Sequence, residues 1–262
     1  MDLIVLGNGF DIAHDAPCRY CDFYNYLKCE NQGGVEFLEA LFPKKKRKQY
    51  LLWSDFEEAL LHPDPDFLDD LLNGEPKEDT ILATIRYLFG SWIRQEVSYA
   101  GITKLSENHK FYQHLKADNF FMTFNYTSTL ENLYSIYNVL HIHGQALYKG
   151  EETSDTIVFG HRTSRTDIPF IKLTEKPTQE VIHNNKGFFE RIKKQVDGKI
   201  VVMGLCCSKV DWPYIRKINN CLKNHQWWFY YHNLKDKKRI NKCIKSVGID
   251  KSNVTLIKDE WR

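Results

Sequence analysis

Seven short apolar runs punctuate the chain: Leu3–Leu6, Phe120–Phe124, Val139–His143, Thr156–Phe159, Lys199–Met203, Trp227–Tyr231 and Val254–Ile257. Most are continuously apolar rather than alternating, the pattern of strands covered on both faces. Segments with helical periodicity separate them, among them Thr127–Tyr137, Asn184–Val196, Val210–Leu222 and Lys235–Val247. Strand alternating with helix predicts one α/β domain over residues 1–262, built on a Rossmann-like, mainly parallel sheet. Between Tyr20 and Leu115 the pattern changes. Val35–Phe42, Tyr50–Leu61, Phe67–Leu72 and Ile81–Val97 repeat with helical period, no strand intervenes, and glycines and prolines mark the breaks. Residues 20–115 are therefore expected to be a helical insertion that caps the sheet.

Composition narrows the class. With 42% hydrophobic and 27% charged residues, the 262-residue chain reads as an ordinary globular protein. No apolar stretch reaches the roughly 20 residues that cross a bilayer, and the first apolar run is too short for a secretory signal. The expectation is a cytoplasmic protein with no membrane partner. A net charge of +2 gives no reason to expect nucleic acid, and Lys44–Lys48, following Pro43, reads as a solvated turn between helices. Seven cysteines, an odd number, fit free thiols in a reducing compartment. Cys18 and Cys21 have zinc-ligand spacing and Cys29 lies nearby. No second pair or histidine pair completes a set, so no metal is expected. Cys206 and Cys207 read as loop packing. Clustered carboxylates of the kind a metal-dependent nuclease needs are also lacking.

The polar residues sit where the apolar runs stop. Leu3–Leu6 leads into Gly7-Asn8-Gly9-Phe10-Asp11, a turn suited to close backbone approach by a phosphate. The third glycine of a dinucleotide fingerprint and the Lys-Ser/Thr of a Walker loop are both missing. Phe120–Phe124 leads into Asn125 and Thr127, and Val139–His143 ends before Gly144. Thr156–Phe159 runs into Gly160-His161, and Lys199–Met203 runs into Gly204, Ser208 and Asp211. Ligands of open parallel sheets bind beyond the carboxyl ends of the strands. Five ends carrying ligand-type groups predict one nucleotide site.

Taken together, Gly7-Asn-Gly-Phe-Asp11, Trp53-Ser-Asp-Phe-Glu57, Phe124-Asn-Tyr-Thr127 with Glu131, His141-Ile-His-Gly144, Phe159-Gly-His161 and Gly204…Ser208…Asp211 resemble the bacteriophage abortive-infection AbiH family. The order of glycine turn, Asn, His-Gly and Gly…Ser also resembles, more distantly, the sirtuin-like NAD-binding fold. The first resemblance implies anti-phage defence. The second implies NAD as substrate or ligand, with Asn125 and His143 as the catalytic pair of an NAD or nucleotide N-glycosidic hydrolase. It would place Gly7, Asn8, Gly9 and Ser208 around phosphates and ribose. Phe10, Asp11, Thr127, Gly144, Gly160, His161, Gly204 and Asp211 would line the rest, with Trp53 and Glu57 packing or closing the pocket from above. Sirtuin-like sites carry an acid where this chain has Thr127, and a small hydroxyl residue near the place of Asp11. The alternative is a nucleotide-binding sensor without turnover that signals through a partner. A phage-derived trigger, a partner protein and oligomerisation stay open. One shared site requires neighbouring parallel strands before Gly7 and Asn125, a His143 ring facing their crevice, and free N–H groups from Asn8 to Phe10.

Overall fold

The structure, a computed structural model, describes residues 1–42, 60–67, 78–97, 101–146, 157–161 and 169–259. The Trp53–Glu57 motif, the basic run 44–48 and most of the helical stretches expected at 50–61 and 67–72 lie outside these residues. Six strands form one sheet: β1 (Leu3–Leu6), β2 (Phe120–Thr123), β3 (Val139–His141), β4 (Ile200–Met203), β5 (Trp227–Tyr231) and β6 (Val254–Lys258). All pairs are parallel and the order is β3-β2-β1-β4-β5-β6, a doubly wound arrangement. The expected α/β, Rossmann-like class is what the chain adopts. In chain order the helices are α1 (Asn8–Ala13), α2 (Tyr20–Glu30), α3 (Gln32–Leu41), α4 (Glu78–Trp92), α5 (Thr129–Tyr134), α6 (Pro169–Leu173), α7 (Thr178–Asn184), α8 (Lys186–Gln195), α9 (Trp212–Cys221) and α10 (Leu234–Val247).

The chain forms two compact units. Residues 1–16, 101–145 and 177–262 make the sheet unit, and residues 17–100 with 146–176 make a helical unit. Residues 101–115, read from sequence as part of the insertion, thus belong with the sheet, where Leu105 and Phe111 join its core. Strand alternation divides that core. Ile4, Leu6, Phe121, Val201 and Met203 face Phe10 of α1 and Leu130 of α5. On the other face Phe120 meets Phe188 of α8 and Phe124 meets Tyr214 of α9.

In the helical unit, Phe23 of α2 packs on Phe89 and Trp92 of α4, with ring centroids 5.4 and 5.3 Å apart. Phe159 joins them 5.2 Å from Phe89. The apolar run Thr156–Phe159 is therefore not a strand over its described residues 157–159. It is apolar because it fills an aromatic cluster, and only His161 makes an isolated parallel bridge, to Glu175. No helix among the described residues is long and apolar enough to cross a membrane.

Glycine at two positions is demanded by contact between the loops after β1 and β4. A Cβ on Gly7 would lie 2.6 Å from the Leu205 Cα and 2.8 Å from the Gly204 carbonyl. Gly204 has φ +67, and its Cβ would lie 2.2 Å from the Phe10 nitrogen. Gly204→Ala combines left-handed strain with a backbone clash, so it should cost about 2–4 kcal/mol. Denaturant unfolding of the variant checks this, and a loss below roughly 0.5 kcal/mol would refute the contact.

Candidate functional site

Asp11 belongs to the first turn of α1, and Leu6, Thr123 and His141 close the three neighbouring strands β1, β2 and β3. Asn125 and Thr127 follow β2, and Thr129, Leu130 and Glu131 open α5. Together with Phe10 these residues line one small pocket enclosing about 170 Å³, its solvent mouth included. It lies at the carboxyl ends of the strands, as an open parallel sheet requires. Four residues singled out from sequence, Phe10, Asp11, Asn125 and Thr127, meet here.

Asp11 is completely buried. Its Oδ2 accepts a 2.6 Å hydrogen bond from the Thr127 hydroxyl, which in turn takes one from Thr129 at 3.2 Å. Its Oδ1 has no partner among the described residues. Burial pushes its pKa up to about 6, against the downward pull of the Thr127 hydrogen bond, of the neighbouring Thr129 and Asn125 side chains and of the nearby His141. The Asn125 side-chain N–H also donates to the Gly7 carbonyl at 3.1 Å, tying the end of β2 to the end of β1.

Glu131 and His141 stand in the sequence motifs but are not among the residues expected to line the site. His141 Nε2 lies 2.8 Å from Glu131 Oε1, and His141 Nδ1 lies 3.2 Å from the Asn125 carbonyl. Both partners are acceptors, so both bonds form together only with a doubly protonated ring beside an ionised Glu131, or with the proton on the acid. Gln145 Nε2 donates to the same Oε1 at 3.2 Å and to the Ser128 hydroxyl at 2.8 Å. Glu131 Oε2 is buried without a partner among the described residues. The apolar run in the sequence ends at His143, whereas β3 ends at His141, and two histidines two apart in one run leave open which one enters the pocket.

His143 is not among the residues that line it. Its ring packs edge-on against Phe124 and Tyr214, with centroids 5.1 and 5.3 Å away, on the sheet face that carries α9. The N–H groups expected to be free after Gly7 are partly spent. Gly9 donates to the Gly204 carbonyl at 2.9 Å and Phe10 to the Gly7 carbonyl at 2.8 Å, because the two loops press together there. Ser208 donates its backbone and hydroxyl protons to Asp211 Oδ2 at 2.8 and 2.9 Å, closing the loop before α9. Gly144 turns the chain with φ +83 and its N–H bonds the His141 carbonyl. Gly160 and His161 lie in the helical unit, where a Gly160 Cβ would sit 2.3 Å from the Thr174 carbonyl. His161 bonds the Thr174 hydroxyl, and burial lowers its pKa to about 4, which keeps it neutral.

A family model for bacteriophage abortive infection AbiH matches residues 3–232. The chain belongs to the AbiH family. Its membership assigns it to anti-phage abortive-infection defence. A search of the curated proteins finds no match. In this AbiH chain every residue that lines the pocket falls within the matched segment, as do His14 and Tyr134 beside it. His14 is framework: Nδ1 donates to the Phe10 carbonyl at 2.7 Å and Nε2 accepts from the Tyr134 hydroxyl at 2.7 Å. Burial holds it neutral, with a pKa lowered to about 4. Among the described residues no group of three His, Cys, Asp or Glu side chains could hold a metal ion.

The raised pKa of Asp11 has a defined sign. Its contribution favours folding below about pH 4, where it is protonated in both states, and is lost as pH rises through about 6. Asp11→Asn should flatten that fall and leave the protein at pH 7 more stable by up to about 3 kcal/mol. Urea unfolding at several pH values checks it, and an unchanged pH profile would contradict the burial of an ionisable Asp11.

Proposed function

We propose that this AbiH-family protein hydrolyses the N-glycosidic bond of NAD or a related nucleotide, with the ribosyl group held at the mouth of the pocket of Asp11, Asn125, Glu131 and His141. The observation that carries the reading is the pair of buried carboxylate oxygens, Asp11 Oδ1 and Glu131 Oε2, with no donor among the described residues. Buried acceptors left unpaired are costly, and ribose hydroxyls are donors of the right kind. The pocket is small and open at one side, so in this reading a ribose hydroxyl reaches into it and the rest of the nucleotide stays beyond its mouth.

The chemistry needs little acid catalysis. The bond from C1′ to the nicotinamide nitrogen breaks, and its electron pair leaves on a neutral base. A cationic, oxocarbenium-like ribosyl centre remains. Two carboxylates close to that centre stabilise it. A water oxygen then bonds to C1′, and its proton passes to Glu131 Oε2, whose other oxygen is held by His141 and Gln145. Asn125 positions the turn and Asp11. The Thr127 hydroxyl holds Asp11 Oδ2 at 2.6 Å and leaves Oδ1 for the ligand.

Purified protein incubated with NAD, with and without phage lysate, should release nicotinamide and ADP-ribose. Glu131→Gln and Asn125→Ala should each lower turnover by roughly 100-fold or more with the fold retained. NAD that raises the melting temperature yet stays intact would assign a sensor instead. NAD neither bound nor cleaved would remove both readings.

A further inference from the structure

The net charge of +2 averages over an uneven chain. Between Pro177 and Asp259 there are 17 Lys or Arg residues against seven Asp or Glu. Three helices of the sheet unit collect most of the excess. Helix α8 carries four basic residues against Glu190, α9 carries two and no acid, and α10 carries six against Asp236. Each is amphipathic, with most of its apolar residues buried, Leu234 at the start of α10 being an exposed exception, and most of its basic ones outward: Lys193, Lys194, Arg216, Lys238, Lys242 and Lys245 are all exposed.

The helices are neighbours. α8 packs on α9 and α9 on α10. Arg216 Nη2 of α9 donates to the Ser246 carbonyl of α10 at 2.9 Å. Lys217 of α9 lies over the Phe189 ring of α8, 5.6 Å from its centroid, and Lys193 and Lys217 both lie near the Cys221 thiol. Among the described residues no Lys or Arg of the three helices forms an ion pair. Twelve cations against two acids on one three-helix layer repel one another, and that cost is relieved by a polyanion rather than by the protein itself.

We propose that the face formed by α8, α9 and α10 binds duplex nucleic acid through its phosphates, without reading sequence. A duplex carries a charge about every 1.7 Å of its axis, and neutralising several phosphates releases counterions, which supplies the affinity. A bilayer is the poorer fit. The apolar side of α10, Ile240, Cys243, Ile244 and Val247, is buried in the fold and cannot enter a membrane interface. A single strand is also the poorer fit, since it needs exposed rings for stacking, and the exposed large aromatics Tyr87 and Tyr137 lie off these helices. The surface is separate from the nucleotide pocket: it covers the sheet face opposite α1 and α5. Helix α10 also lies beyond the segment that matches the family model.

The test is fluorescence anisotropy with the full chain and a labelled duplex of about 24 base pairs, DNA and RNA in separate arms, at about 50 and 150 mM salt. Binding should weaken about tenfold or more across that salt range. A Lys238→Gln/Lys242→Gln/Lys245→Gln variant should lose roughly tenfold in affinity and show a salt slope smaller by about one per phosphate contact removed. Lys104→Gln/Lys116→Gln, exposed cations elsewhere on the sheet unit, should change neither. Circular dichroism checks that the substituted exposed lysines leave the fold intact. Three results would overturn the proposal: no salt-dependent duplex binding, equal loss in both variants, or binding to phosphatidylserine vesicles in place of duplex. Glu131→Gln should bind duplex like the parent, which separates this surface from the hydrolase reading.

Discussion

The loops after β1 and β4 touch backbone to backbone, and the rest of the sheet unit is arranged around that contact. Gly7 and Gly204 leave no room for a Cβ on either side, and Gly9 closes the contact with a hydrogen bond to the Gly204 carbonyl. The contact fixes the angle at which α1 leaves the sheet. Phe10 then drops into the core and Asp11 points toward the start of α5. Asn125 adds a second clamp by donating to the Gly7 carbonyl. The glycine turn that looks like a phosphate loop thus acts first as a packing joint. It spends on itself two of the N–H groups that an anion would have used.

What that joint holds in place is a site that costs stability. A fully buried Asp11 with one bare oxygen, and Glu131 with another, run against the rule that buried acceptors are satisfied. The Thr127–Thr129 hydroxyl chain and the Asn125 amide recover only part of that cost for Asp11, whose pKa remains raised. Other buried atoms, Arg86 Nε and Asp259 Oδ2 among them, also lack a hydrogen-bond partner among the described residues, but these two carboxylate oxygens belong to residues that line one pocket, beside the fully bonded His14 and Tyr134.

Charge is distributed with the same asymmetry. The carboxylates gather inside the pocket on the α1 and α5 side of the sheet, and the lysines gather outside on the α8, α9 and α10 side. A parallel sheet with helices on both faces makes this separation cheap, because about 10 Å of apolar core keeps the two fields apart. Chain-wide net charge cannot register it.

Much of the fold was legible from local pattern. The continuous apolar runs Leu3–Leu6, Phe120–Phe124, Lys199–Met203 and Trp227–Tyr231 had to be strands buried on both faces, and the helical periods between them required a parallel sheet. The placement of Asn125 and Thr127 at a strand end followed from the same reading, and the family motifs were visible as spaced residues. Three things needed tertiary structure. Thr156–Phe159 has a strand's composition but fills an aromatic cluster with Phe89, and apolar content alone does not distinguish those fates. His141 and His143 differ by two residues, and only the turn after β3, together with the packing of Phe124 and Tyr214, sends the first to Glu131 and the second among aromatic rings. The basic layer arises because three consecutive helices, separated by strands, are laid side by side on one face; the excess of Lys and Arg is in the segment, but their juxtaposition is set by strand order and handedness.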